Sequence, residues 1–169
     1  MKKAFRCLCS LAFLFAGLKI ASAQGGSPVF WAKAGDWDVY SSTDDAGAFD
    51  VCFTSKTYKN EEMIVFFTDG DTATVGLFPN RWQLDSRGRY DVAIQAKGGT
   101  RVRTQAVASE DRKSVLFEAN ISPFILEYTR ATVFYLHTGA GRVDYDITGV
   151  AGAIQSMARC ALENGTGAP

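Results

Sequence analysis

Along most of the chain, apolar and polar residues alternate with a period of two, the spacing of a strand that buries one face. Trp37–Ser41 (WDVYS) alternates large apolar with polar residues, and Phe49–Tyr58 sets Phe49, Val51 and Phe53 on one face with Cys52 on the other. Met63–Thr68 (MIVFFT) is an unbroken apolar run, which predicts a strand covered on both faces. Asp69-Gly70-Asp71 offers a tight turn and Thr72–Phe78 returns as the second arm of a hairpin, ended by Pro79-Asn80. Tyr90–Ala96 alternates with Tyr90, Val92 and Ile94 on the core face, Lys97–Thr100 (KGGT) is a second hairpin turn, and Arg101–Val107 alternates again. Ser114–Ala119 is a further short strand, while Thr132–His137 and Arg142–Ile147 flank Thr138–Gly141 (TGAG) as a third hairpin.

Two stretches depart from this period. Ser122-Pro123 reads as an N-cap followed by proline at the first helical position, opening one or two turns through Tyr128. From Thr148 onward, Val150, Ala153, Ile154, Met157, Ala158 and Ala161 recur at spacings of three and four, which predicts an amphipathic helix with Thr148 as N-cap and Gly165 as stop. Gln24–Ala34 reads as a lead-in, and Gly165–Pro169 as a frayed tail. About eight short strands with hairpin turns, closed by one helix, predict a mainly β fold: a small antiparallel β-sandwich or partly open barrel with a C-terminal α-helix.

The first residues carry a different signal. Lys2, Lys3 and Arg6 precede an apolar run from Cys7 to Leu18, and Ala21-Ser22-Ala23 fits the small-residue cleavage rule. The run is shorter than the ~20 helical residues that span a bilayer. Residues 1–23 are therefore expected to be a signal peptide, leaving 24–169 as a single exported β-domain with no transmembrane segment after cleavage. That portion carries 14 basic and 18 acidic residues, a net charge of −4. Such a balance gives no bulk drive toward nucleic acid.

Cleavage leaves two cysteines, Cys52 and Cys160. In an oxidising compartment an isolated pair forms a disulfide. The alternatives lack partners: His137 is the single histidine and no CxxC is present, so neither a zinc site nor a Cys–His nucleophile can be assembled from recognisable parts. No metal or organic cofactor is expected. Without a GxSxG motif, Ser-His-Asp catalysis has no support either. Asp144 and Asp146 share a strand face and are read as the solvent side of an edge strand rather than as paired catalytic or calcium-binding carboxylates. Trp31, Trp37 and Trp82 flank strands and are read as core or rim anchors.

Charge is uneven within the domain. Between Arg81 and Lys113 stand eight basic residues against four acids. Five of them, Arg87, Arg89, Lys97, Arg101 and Arg103, surround the Tyr90–Gln105 hairpin and are candidates for binding an acidic macromolecule or envelope component, since guanidinium groups suit carboxylate, sulfate and phosphate.

Gly35–Met63 (GDWDVYSS, then FDVCFTSKTYKNEEM) and Tyr145–Cys160 (YDITGVAGAIQSMARC) together resemble the opening and closing parts of the invasion-associated locus B family of small exported proteobacterial proteins. The resemblance implies a periplasmic or secreted envelope protein associated with host-cell interaction or invasion, without established catalysis. The expected function is accordingly a non-enzymatic exported binding module. A periplasmic inhibitor or small-ligand carrier is the alternative, and a hydrolase with an unfamiliar site the third reading. A pocket with converging polar groups would favour the enzyme, and a dry core with a basic or aromatic outer patch the binding module.

Overall fold

Alternation decides which side of each strand meets the core. In the computed structural model, residues 27–68, 72–80, 82–120 and 127–165 are described. Their strands are β1 (Val29–Ala34), β2 (Trp37–Thr43), β3 (Phe49–Thr57), β4 (Met63–Thr68), β5 (Thr72–Phe78), β6 (Arg89–Ala96), β7 (Val102–Ala108), β8 (Val115–Asn120), β9 (Val133–Thr138) and β10 (Gly141–Asp146), followed by helix α1 (Val150–Gly165). All pairings are antiparallel, in one open sheet of order β1-β2-β3-β4-β5-β8-β7-β6-β9-β10. The fold is mainly antiparallel β with a C-terminal helix, open-sandwich or barrel-like in form, as the hydrophobic pattern predicts. The expected signal peptide, the expected Asp69–Asp71 turn, Arg81, the expected Ser122-Pro123 helix start and the last four residues of the tail lie outside the described residues; residues 127–130 are helical.

The concave face holds the core. Trp37, Ile64, Val75, Leu77, Ile94, Val115, Phe117, Phe134 and Leu136 are almost wholly buried there, packed with Ile147 and with Val150 and Ala153 of α1. Further along the helix, Met157 and Cys160 pack with Val39 and Cys52 in a second cluster over β2 and β3. The spacing 150, 153, 157, 160 is the 3.6-residue stripe, and it lays α1 across the strands at the β1 side of the sheet. The Cys52–Cys160 disulfide forms inside this second cluster, with a Cα–Cα distance of 6.1 Å.

Across the open side, side chains rather than a backbone ladder link β3 to the end of β10. The Tyr58 hydroxyl donates to the Asp146 carbonyl at 2.9 Å, and Lys56 Nζ lies 3.1 Å from the Asp146 carboxylate. The Lys56 side chain is only 8% exposed, so its ammonium depends on that partner, on Asp36 at 3.9 Å, and on the faces of Trp37 and Tyr58. Trp37 Nε1 donates to the Thr148 carbonyl at 3.0 Å and ties β2 to the start of α1.

Three expectations are corrected. Val29–Ala34 is an edge strand, not a lead-in; a register shift between Phe30 and Ala32 disrupts its alternation, which hid it. Phe49 does not share a face with Phe53. A second shift, between Ser42 and Thr43, turns Phe49 toward the Val39–Cys52 cluster. Gly149, not Thr148, caps α1: its carbonyl accepts from Ala153, and its φ of +85° is one that glycine adopts without strain.

The convex face is divided. On β1 to β4 a cross-strand row of rings, Phe30, Tyr40, Phe53 and Phe67, has successive centroids 5.9, 5.3 and 5.6 Å apart. On β7, β6, β9 and β10 the same face is polar and basic.

Candidate binding face

Register determines which basic residues meet. On the convex side, Arg103 of β7 is opposite Ala93 of β6, Ala93 is opposite His137 of β9, and His137 is opposite Arg142 of β10. The neighbouring row holds Gln95, Tyr135 and Asp144, and extending the β6–β7 register by one residue sets Arg101 opposite Gln95. Strands are about 4.8 Å apart, so each row crosses four strands in about 15 Å.

The five candidate cations do not form one cluster. Arg101 and Arg103 lie in these rows, exposed and without an ion-pair partner among the described residues. Arg89 is four residues further along β6, about 13 Å away, and its Nη1 is 3.5 Å from Gln105 Oε1. Gln105 in turn donates to Asp91. Arg87 sits before β6 in a left-handed turn conformation and pairs with Glu110 at 3.0 Å. Lys97 is exposed at the hairpin turn, with its backbone N–H bonded to Val133. Arg101 and Arg103 are thus the available pair, and Arg87 is neutralised by its neighbour.

The structure adds residues that hairpin reasoning missed. His137 and Arg142 join the row because β9 pairs with β6, a contact between segments forty residues apart in the chain that local alternation does not encode. Arg142 lies over the Tyr135 ring, its guanidinium carbon 4.6 Å from the centroid, and forks onto Asp144 through bonds of 2.7 and 3.1 Å. Gln95 Nε2 donates to the Gly99 carbonyl at 3.0 Å, which turns its Oε1 toward His137 Nε2 at 3.3 Å. With an acceptor there, the neutral imidazole carries its proton on Nε2 and leaves Nδ1 free to take a second. Partial desolvation, then Arg101 and Arg142, push the His137 pKa below its ordinary value against the pull of Asp144.

Elsewhere the arrangement does not converge on chemistry. Asp144 and Asp146 are engaged separately, with Arg142 and with Lys56. Hydrogen bonds from Thr148, then Lys56, hold the Asp146 carboxyl at a pKa of about 2. Burial pushes the Tyr58, Tyr128 and Tyr145 phenols upward, so none of them is poised as a base. Among the described residues, no three His, Cys, Asp or Glu side chains gather to hold a metal ion. Trp37 is in the core, while Trp31 and Trp82 are partly buried at its rim. No family model, curated protein or solved structure matches the chain.

Proposed function

We propose that this chain is a non-enzymatic exported binding domain that docks an acidic macromolecule of the cell envelope on the convex face of β7, β6, β9 and β10. The observation that carries the proposal is the pair Arg101 and Arg103: two exposed guanidiniums on one sheet face, unpaired among the described residues, Arg103 in the row of His137 and Arg142 and Arg101 in the row beside it. The concave side is filled by fully buried side chains, which supports recognition on the outside. The buried disulfide is compatible with an oxidising compartment, and among the described residues no helix is long and apolar enough to cross a membrane. Export would be by the N-terminal leader, with a mature chain beginning at Gln24. The resemblance of Gly35–Met63 and Tyr145–Cys160 to the invasion-associated locus B family supports the extension to a periplasmic or secreted role at the host-cell boundary.

The test is binding to dextran sulfate at several salt concentrations. The wild-type chain should bind with an affinity that falls as salt rises. Arg101→Ser with Arg103→Ser should weaken binding about tenfold and flatten the salt dependence, while Arg159→Ser, on the exposed side of α1, should change neither. Equal binding by the folded double variant would refute the docking face.

A further inference from the structure

We propose that Arg101, Arg103, His137 and Arg142 form one subsite for a sulfate or carboxylate group of a linear acidic polysaccharide, and that protonation of His137 tightens it in acid. This inference rests on the docking reading above and adds its ligand class and its control by pH.

The geometry favours an extended polyanion. The two cross-strand rows advance from strand to strand in steps of about 4.8 Å, close to the rise of one sugar in an extended chain. Ala93, between Arg103 and His137, carries the shortest side chain in its row and is buried, so the exposed atoms of that row belong to its polar neighbours. Around it stand donors: two free guanidiniums, a third fixed by Tyr135 and Asp144, and the imidazole. The Gln95 amide orients the imidazole. The exposed members of both rows are polar, so nothing in them would enter a bilayer core.

The charges around His137 come from two directions. Arg101 acts from just before β7 and Arg142 and Asp144 from β10, while β6 contributes the uncharged Gln95 and Tyr135 lies two residues away on its own strand. Asp144 is already neutralised by Arg142. Partial desolvation disfavours the imidazolium in the free protein, and the net positive field adds to it. An anion on the row reverses that field. By linkage, a ligand that raises the pKa of His137 must bind more tightly to the protonated form by the same factor. One added charge at this partly solvated site should tighten binding about five- to tenfold between pH 7.5 and pH 5.

Dextran sulfate is a suitable probe because its charge does not titrate in this range. At constant ionic strength, the wild type should gain that factor in acid. His137→Gln, which gives up the contact made by the imidazole, should bind more weakly than the wild type and lose most of the gain. His137 is the single histidine, so its ring resonances can be followed alone by NMR, and saturating dextran sulfate should raise its pKa by about 0.7–1. A full acid gain in His137→Gln, or an unmoved histidine pKa on binding, overturns the inference while leaving docking by Arg101 and Arg103 intact. Binding to vesicles of anionic lipid but not to dextran sulfate overturns the polysaccharide assignment. Loss of the docking face itself would show instead as wild-type binding by the Arg101→Ser, Arg103→Ser variant.

Discussion

Removing the bond between Cys52 and Cys160 should relax the denatured chain far more than the folded one. The two residues are 108 positions apart, so the closed loop takes in β4 to β10 and most of α1. The chain-entropy relation gives about 4.8 kcal/mol at 25 °C for a loop of this length. With a melting entropy of about 2.1 cal/mol/K per residue, that corresponds to roughly 16 °C in Tm for a domain of this size. In the folded state α1 keeps its other contacts, since Val150 and Ala153 are in the main core and Met157 lies on Val39. The double variant Cys52→Ala, Cys160→Ala should therefore fold and be destabilised by about 5–7 kcal/mol, the excess over the entropy figure coming from the two small voids left by the sulfurs. Guanidinium unfolding followed by the fluorescence of buried Trp37 measures this. Wild-type chain unfolded with reductant present keeps both sulfur atoms and should lose only the entropic part. In both cases the m-value should rise, because an uncrosslinked denatured chain exposes more surface. A loss below about 1 kcal/mol with an unchanged m-value would refute the reasoning and place the stabilisation in packing alone.

Other consequences follow from single contacts. Asp146→Asn should cost about 1 kcal/mol at pH 7, a figure reduced for screening because the side chain is 60% exposed. Since the folded pKa of about 2 lies below the ordinary carboxylate value, this stability is present above about pH 4 and is lost as pH falls through about 2; the two denaturation curves should converge over that window. Gly149→Ala should cost about 1–2 kcal/mol by thermal unfolding because φ is +85°, even though the added methyl would stand 3.6 Å from Trp37. Arg142→Ser removes one charge that depresses the His137 pKa and frees Asp144, which raises it, so the histidine should titrate at higher pH in the NMR experiment; an unchanged or lower pKa would count against the field described for that face.

Where a strand's burial is one-sided, its residues announced it. Val92 and Ile94 are buried as the alternation of Tyr90–Ala96 requires, and KGGT is the turn between β6 and β7. The α1 stripe was legible for the same reason, as was the Cys52–Cys160 pairing once Cys7 and Cys9 were assigned to the expected leader. What could not be read is non-local. β8 pairs with β5, and β9 with β6, through contacts of distant segments with no local signature. That is why Arg101 and Arg103 were visible as a strand-face pair but His137 stood alone in the sequence. The register shifts near Trp31 and Asp50 explain the misreading of Val29–Ala34 and of Phe49, because an extra residue moves every side chain beyond it to the other face.

An open sheet has two edges to protect, and the two are protected differently. β10 exposes Arg142, Asp144 and Asp146, charges that a second strand would have to desolvate in order to pair. β1 exposes Val29 and Phe30, at 61% and 56%, and relies on its bulge and on Lys33, which is paired with Asp38, to spoil a flat edge. The aromatic row runs toward the bulged edge and the basic rows toward the charged one. Arg142 is thereby both an edge guard and the last cation of the row that begins at Arg103. Charge that keeps the edge from pairing with another sheet is the same charge that an anionic chain can use, because edge pairing requires the guanidinium to be stripped of water while an exposed sulfate or carboxylate replaces that water with a bidentate contact. The proposed binding face, beside the guarded edge, would satisfy both demands with one set of side chains.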